Sequence, residues 1–235
     1  MKKDSGFTLI ELMIAISILS LLLYTGSYMY STLSSRWDRE LGEFNQHFEQ
    51  SRSLILLQEL LSGVMPFVIR DNKQADIPTM FFVGRPDSLL AVSRGGIANT
   101  EYPEIFRLTA LPTNTNKFDL VYQSASTKNV LLLNTQQEID FVQRFSLIKD
   151  ADKIEFRYFG WPSFHIKNQG TEENVNKAEQ TRWFSDYSGV DKQLNPEKIE
   201  VLVTMGQQTA TFAVTLDDSS QRFLEHYLSD VEDNN

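Results

Sequence analysis

From Phe7 to Leu33 the chain runs for 27 residues with one ionisable group outside the tyrosine phenols, Glu11. About 20 apolar residues carry an α-helix across a bilayer, so this segment decides how everything after it is delivered. Lys2 and Lys3 precede it, and Arg36 is the first cation after it. The basic side stays in the cytoplasm, which predicts a single pass with the C-terminal bulk outside. Two readings are open on physics alone. One is a retained anchor; the other is a secretory signal that is cut away, with the same basic start and apolar middle. The apolar run exceeds the about 7–15 residues of a signal core. The stretch Thr25-Gly26-Ser27-Tyr28-Met29-Tyr30 also offers a poor cleavage site. Both features favour the anchor.

Glu11 is the odd residue. A charge within an apolar span costs about 2.5–3.5 kcal/mol on insertion scales. Either it reaches the headgroup level and does little, or it meets a cation inside lipid.

The rest of the chain must build a core. Its 235 residues are 41% hydrophobic with 16 Phe, which argues against disorder. The absence of cysteine excludes disulfides, thiolate-bound zinc, iron–sulfur clusters and thiol nucleophiles. A net charge of −9 disfavours a nucleic-acid partner, since phosphates need Lys and Arg.

Helical character is expected to continue past the membrane. Trp37, Leu41, Phe44, Phe48, then Leu54 or Ile55, Leu57, Leu61 and Val64 recur at spacings of three and four. Gly63 and Pro66 read as stop signals. A helix from Phe7 to about Ser62 is about 84 Å long at 1.5 Å per residue. Beyond Pro66 the period changes to two. Apolar runs at 67–69, 80–83, 89–92, 105–108, 118–122, 130–133, 141–147, 154–159, 199–205 and 211–216 read as strands. Turn residues such as Gly84-Arg85-Pro86-Asp87 and Gly95-Gly96 separate them. Many strands without interleaved helices predict antiparallel sheets. The stretch 165–195 is polar and reads as a long surface loop, with a short strand around Arg182-Trp183-Phe184. Phe223, Leu224, Tyr227, Leu228 and Val231 suggest a C-terminal helix. The expected organisation is a transmembrane half-helix at 7–33, an amphipathic half-helix at 34–65 and a β-rich head at 66–235. The fold class is α+β: a long N-terminal helix packed on a head of antiparallel β-sheets.

No catalytic constellation is visible. His47, His165 and His226 stand apart, and neither a nucleophile elbow nor a phosphate loop occurs. Asp150-x-Asp152 and Asp217-Asp218 read as solvated turns rather than calcium ligands. The chain is read as no enzyme, with no catalytic residue, no metal and no cofactor. Trp161, Phe164, Trp183, Phe184 and Tyr187 form an aromatic zone that is either packing or a partner anchor. Trp37, Phe44, Trp161 and Trp183 are the candidate partner contacts.

The string Gly6-Phe7-Thr8-Leu9-Ile10-Glu11-Leu12-Met13-Ile14-Ala15-Ile16 resembles the class III signal of type IV pilins and type II secretion pseudopilins. That resemblance implies a leader at 1–6, cleavage between Gly6 and Phe7 by a prepilin peptidase, and N-methylation of Phe7. It also implies that Glu11 meets the N-terminal amine of a neighbouring subunit in a filament. Pairing relieves two charges that lipid would leave uncompensated. Downstream, Ile154-Glu155-Phe156-Arg157-Tyr158, a Trp-containing polar segment, and Pro196 leading to Ile199-Glu200-Val201 are similar to J-type minor pseudopilins. The resemblance implies I- and K-like minor partners, a major pseudopilin, and an inner-membrane anchor with a periplasmic head. A minor pilin of a type IV or mannose-sensitive-type pilus has the same architecture, and a non-polymerising anchored binding domain is the reading of another class.

Overall fold

The computed structural model describes residues 9–70, 78–97, 101–172 and 180–216, without the side chains of 35–50 and 169–172. Residues up to Ser51 and residues from Arg52 onward form separate compact units. The fold is α+β, an N-terminal apolar helix and a head of antiparallel sheets.

Helix α1 spans Leu9–Ser62. Within the head unit its last turns bury Leu57, Leu60 and Leu61, followed by Val64, while Ile55 stays 56% exposed. Leu54, not Ile55, therefore continues the buried stripe. The helix stops where Gly63 meets the segment 92–94. The Gly63 amide donates to Glu59 O and Leu60 O, the Arg94 amide donates to Gly63 O, and the Met65 amide donates to Val92 O. A Cβ at Gly63 would press on the Ser93 hydroxyl, which donates to Leu60 O.

Strands β1 (Val68–Arg70) and β2 (Pro78–Met80) pair alone. Strands β3 (Val83–Gly84), β4 (Ser88–Ser93), β5 (Glu104–Pro112), β6 (Phe118–Ser126) and β7 (Gln143–Ala151) form a sheet with β10 (Tyr187–Ser188), in the order β10-β3-β4-β5-β6-β7. Strands β8 (Lys153–Gly160), β9 (Arg182–Phe184), β11 (Lys198–Met205) and β12 (Gln208–Thr215) form the other, in the order β12-β11-β8-β9. Alternation sorts the side chains. Leu89, Ala91, Phe106 and Leu108 enter one core with Leu57, Leu61, Phe156, Tyr158, Ile199 and Val201. Leu90, Val92 and Ile105 enter a second core with Ile69, Phe81 and Leu132.

Three expectations change. The run 80–83 is not one strand, since β2 ends at Met80 and β3 begins at Val83. The run 130–133 is not a strand. Its backbone bonds to a side chain instead: the Leu133 and Asn134 amides donate to Gln137 Oε1, and Gln137 Nε2 donates to Leu131 O. Leu132 is buried and Val130 packs beside it on the second core, which imitates strand alternation. The stretch 165–195 is not one loop. It holds α2 (Phe164–Glu172), β9, β10 and α3 (Gly189–Lys192). Ser163 starts α2, its hydroxyl accepting from the Ile166 amide. Ser188 caps α3 in the same way through the Asp191 amide. Because β9 pairs with β8 and β10 pairs with β3, the segment 182–188 is a strap shared by both sheets. The expected C-terminal helix and Asp217-Asp218 lie outside the described residues.

Candidate functional site

Two features of the chain bear on function: the apolar part of α1 and the aromatic strap of the head. The residues Leu9–Ser34 have a mean hydropathy of 2.1, and none is buried within the protein. Their polar atoms are handled locally. The Ser17 hydroxyl donates to Met13 O, the Thr25 hydroxyl to Leu21 O and Leu22 O, and the Thr32 hydroxyl to Tyr28 O. Back-bonding of this kind satisfies these three hydroxyls within the helix itself. Glu11 lies exposed in the first turn of α1, where the positive end of the helix dipole favours a carboxylate. Gly6 and Phe7 lie outside the described residues. Trp37 and Phe44 lie on α1, but their side chains are outside those described.

In the head, the strap divides the aromatic zone in two. Trp161 is 6% exposed; its indole N–H donates to Glu197 Oε1 at 3.0 Å, and its carbonyl accepts from the Tyr187 hydroxyl at 3.1 Å. It ties the strap to β11's lead-in, so its place among candidate partner contacts is corrected: its ring faces inward. Trp183 is the outward member, 37% exposed. Its ring meets Phe159 at 5.3 Å between centroids, and the Arg157 guanidinium lies 5.3 Å from its centroid. Arg157 is held in turn by Glu200 at 3.2 Å. Phe184, the next residue, packs edge-on against Tyr187 at 5.6 Å. Lys192 closes this side, its ammonium 4.1 Å from the Phe184 centroid and donating to Pro162 O. Burial, with Arg182 nearby, lowers the Lys192 pKa, while Asp191 opposes the change.

The exposed apolar residues Leu131 and Val142, 77% and 81% exposed, were not singled out, because Leu131 sits in a run that mimics a strand and Val142 directly precedes β7. The Asp150 amide donates to Asp119 Oδ1, while Asp152 accepts from the Gly206 amide and pairs with Lys117 at 3.7 Å. Among the described residues no group of three or more His, Asp or Glu converges.

The three core tyrosines set an alkaline limit. Burial pushes Tyr122 up to about 12, with Glu104 adding to it against a Ser124 hydrogen bond. Burial also drives Tyr158 and Tyr187 upward, reinforced by Asp186 and Asp87 for Tyr158 and by Glu197 for Tyr187. A folded pKa above the unfolded value of about 10 contributes stability in full below pH 10, and loses it as pH climbs toward the folded value. Between about pH 10 and 12 each such tyrosine costs up to about 1.4 kcal/mol per pH unit. Denaturant titrations across that window should show stability falling steeply, and Tyr122→Phe should make the fall shallower. A flat profile in the wild-type chain would contradict this burial.

Residues 1–23 match the family model described as the prokaryotic N-terminal methylation motif. No curated protein and no solved structure matches the chain. The motif supports a pilin-like or pseudopilin-like protein, processed by a prepilin peptidase and assembling with other pilins. The N-terminal apolar helix, one among the described residues, fits a single-pass membrane anchor.

Proposed function

We propose that the chain is a non-enzymatic minor pseudopilin of a type II secretion system, J-like, in the initiating complex of a periplasmic pseudopilus. The observation that carries this reading is the methylation motif over residues 1–23, continuous with an apolar helix that begins at Leu9. Cleavage between Gly6 and Phe7 would place a methylated amine at the start of that helix and Glu11 one turn along it. The anchor would sit in the inner membrane with the head in the periplasm. The head would choose I- and K-like partners and the major pseudopilin, with Trp183 as its exposed aromatic contact and Trp37 and Phe44 as contacts along the helix. The J-like assignment is supported by the alternating strands around Ile154 and Ile199, which pair with each other.

Deleting the chain should stop export through the secretion system while surface pili remain. Loss of pili with export intact would replace this reading with that of a minor pilin. Within the same assay, Trp183→Ala should weaken co-purification with partner subunits at least tenfold and change stability by less than about 1 kcal/mol, since the ring is a half-exposed aromatic anchor. Undiminished co-purification would remove Trp183 from the interface.

A further inference from the structure

The edges of the sheets are not treated alike. Exposed strand edges invite pairing, and proteins block them with shortness, charge, proline or bulges. Strands β9 and β10 are three and two residues long, and β9 carries Arg182. Strands β1 and β2 are three residues each, with Arg70 and Pro78. Edge strand β7 carries Arg144, Lys149 and Asp150, and its register against β6 shifts twice around Leu120. Strand β12 has none of these devices. It is eight residues long, Gln-Thr-Ala-Thr-Phe-Ala-Val-Thr, without charge or proline, in unbroken register with β11. Among the described residues no strand pairs with its outer side.

Its backbone groups can be assigned to sides. The β11–β12 hairpin closes at Met205↔Gln208 around Gly206, whose φ of 59° suits the first position of a type II′ turn. A two-residue loop makes that closing pair hydrogen-bonded, and antiparallel pairs then alternate. Gln208, Ala210, Phe212 and Val214 therefore bond β11. Thr209, Thr211, Ala213 and Thr215 turn their N–H and C=O groups to the open edge, and all four are exposed.

We propose that β12 pairs with β12 of a second copy of this chain, antiparallel about Phe212. This inference does not depend on which filament the chain serves. In that register Thr209 opposes Thr215 and Thr211 opposes Ala213, so outward-bonding residues meet outward-bonding residues and each side chain stays on its own face. Phe212 opposes Phe212, and Ala210 opposes Val214. No charge lies on either strand; Lys198 and Glu200 stand one strand back on β11, opposite Thr215 and Ala213. Symmetric pairing sets each strand against its own sequence, and with no charge on β12 no like charges oppose each other, which admits a second copy. An eight-residue strand is about 27 Å long, and the contact is on the order of 500 Å². That is below the about 1,200 Å² of a standard interface, so pairing needs the raised effective concentration of anchored chains.

The chain has no cysteine, so single-cysteine full-length variants in membranes read the register. Phe212→Cys should form disulfide-linked dimers at least fivefold above Leu131→Cys, whose exposed loop position reports collision alone. Because Phe212 also touches the core, a second pair avoids it. Thr211→Cys co-expressed with Ala213→Cys should cross-link to each other, through a short thiol reagent, at least fivefold above the same collision control. Adding Thr211→Pro to the Phe212→Cys chain removes an outward N–H but no β11 bond, and should abolish its dimer. Cross-linking no better than Leu131→Cys at both sites, or cross-linking to a different protein, overturns the proposal.

Discussion

Glu11→Ala should leave the protein in the membrane and all but remove it from the assembled filament. Replacing a carboxylate in an apolar segment lowers the cost of insertion, by up to about 2.5–3.5 kcal/mol at mid-membrane depth. The anchor therefore gains. Under the proposed function, the loss falls on the neighbouring subunit, whose methylated amine would stay buried without a counter-charge. Breaking one partner of a buried pair costs about 3–5 kcal/mol, so at least a tenfold fall in incorporation is expected, since each 1.4 kcal/mol is about tenfold. Glu11→Gln keeps the shape and removes the charge, and it should fail nearly as badly. Mass measurement of the membrane-extracted variants should still find the chain beginning at a methylated Phe7, which separates an assembly defect from a processing defect. Wild-type incorporation of both variants would take Glu11 out of assembly altogether.

The second large effect is at Tyr158. This residue of β8 is fully buried, and its ring edge meets Phe82 at 5.8 Å. Its hydroxyl donates to Arg85 O at 2.9 Å, with Ser88 O at 3.2 Å, reaching the β3–β4 turn of the other sheet. The Phe156 amide donates to Pro86 O beside it. Gly84 makes room, since a Cβ there would overlap the ring. Tyr158→Ala should destabilise the head by about 4 kcal/mol, the cost of emptying a large aromatic site. Tyr158→Phe should cost about 1–2 kcal/mol, because turn carbonyls lose their donor. Denaturant midpoints of the purified protein would measure both. An alanine variant within 1 kcal/mol of wild type would mean that Tyr158 does not hold the sheets together.

Trp161 and Trp183 illustrate how far residue identity reaches. Both are tryptophans in the same aromatic zone, and nothing local distinguishes an inward from an outward ring. Glu197, 36 residues beyond Trp161, captures one indole N–H. Pairing with Phe159 sets the other ring on the outer face. The strap is legible only in part for a related reason: the strand expected around Arg182-Trp183-Phe184 is β9, whereas β10 was not anticipated. Strands of three and two residues are too short to display a period, and each exists because a distant strand supplies its hydrogen bonds. The false strand at 130–133 is the converse: Leu131, Leu132 and Leu133 look like a strand, but Gln137 satisfies their backbone from within the loop.

What the amino-acid order determined by itself is everything that depends on near neighbours. The apolar run and its acid at Glu11, the end of α1 at Ser62, the turn at Arg85-Pro86 and the alternation of Lys153–Tyr158 and Lys198–Val203 all follow from spacing of three, four or two, and from the backbone limits of glycine and proline. The tertiary structure alone decided which strands adjoin, which tryptophan is buried, and that β12 is left at an edge. Those outcomes turn on hydrogen-bond partners and packing surfaces that arrive from dozens of residues away, and no local period encodes them.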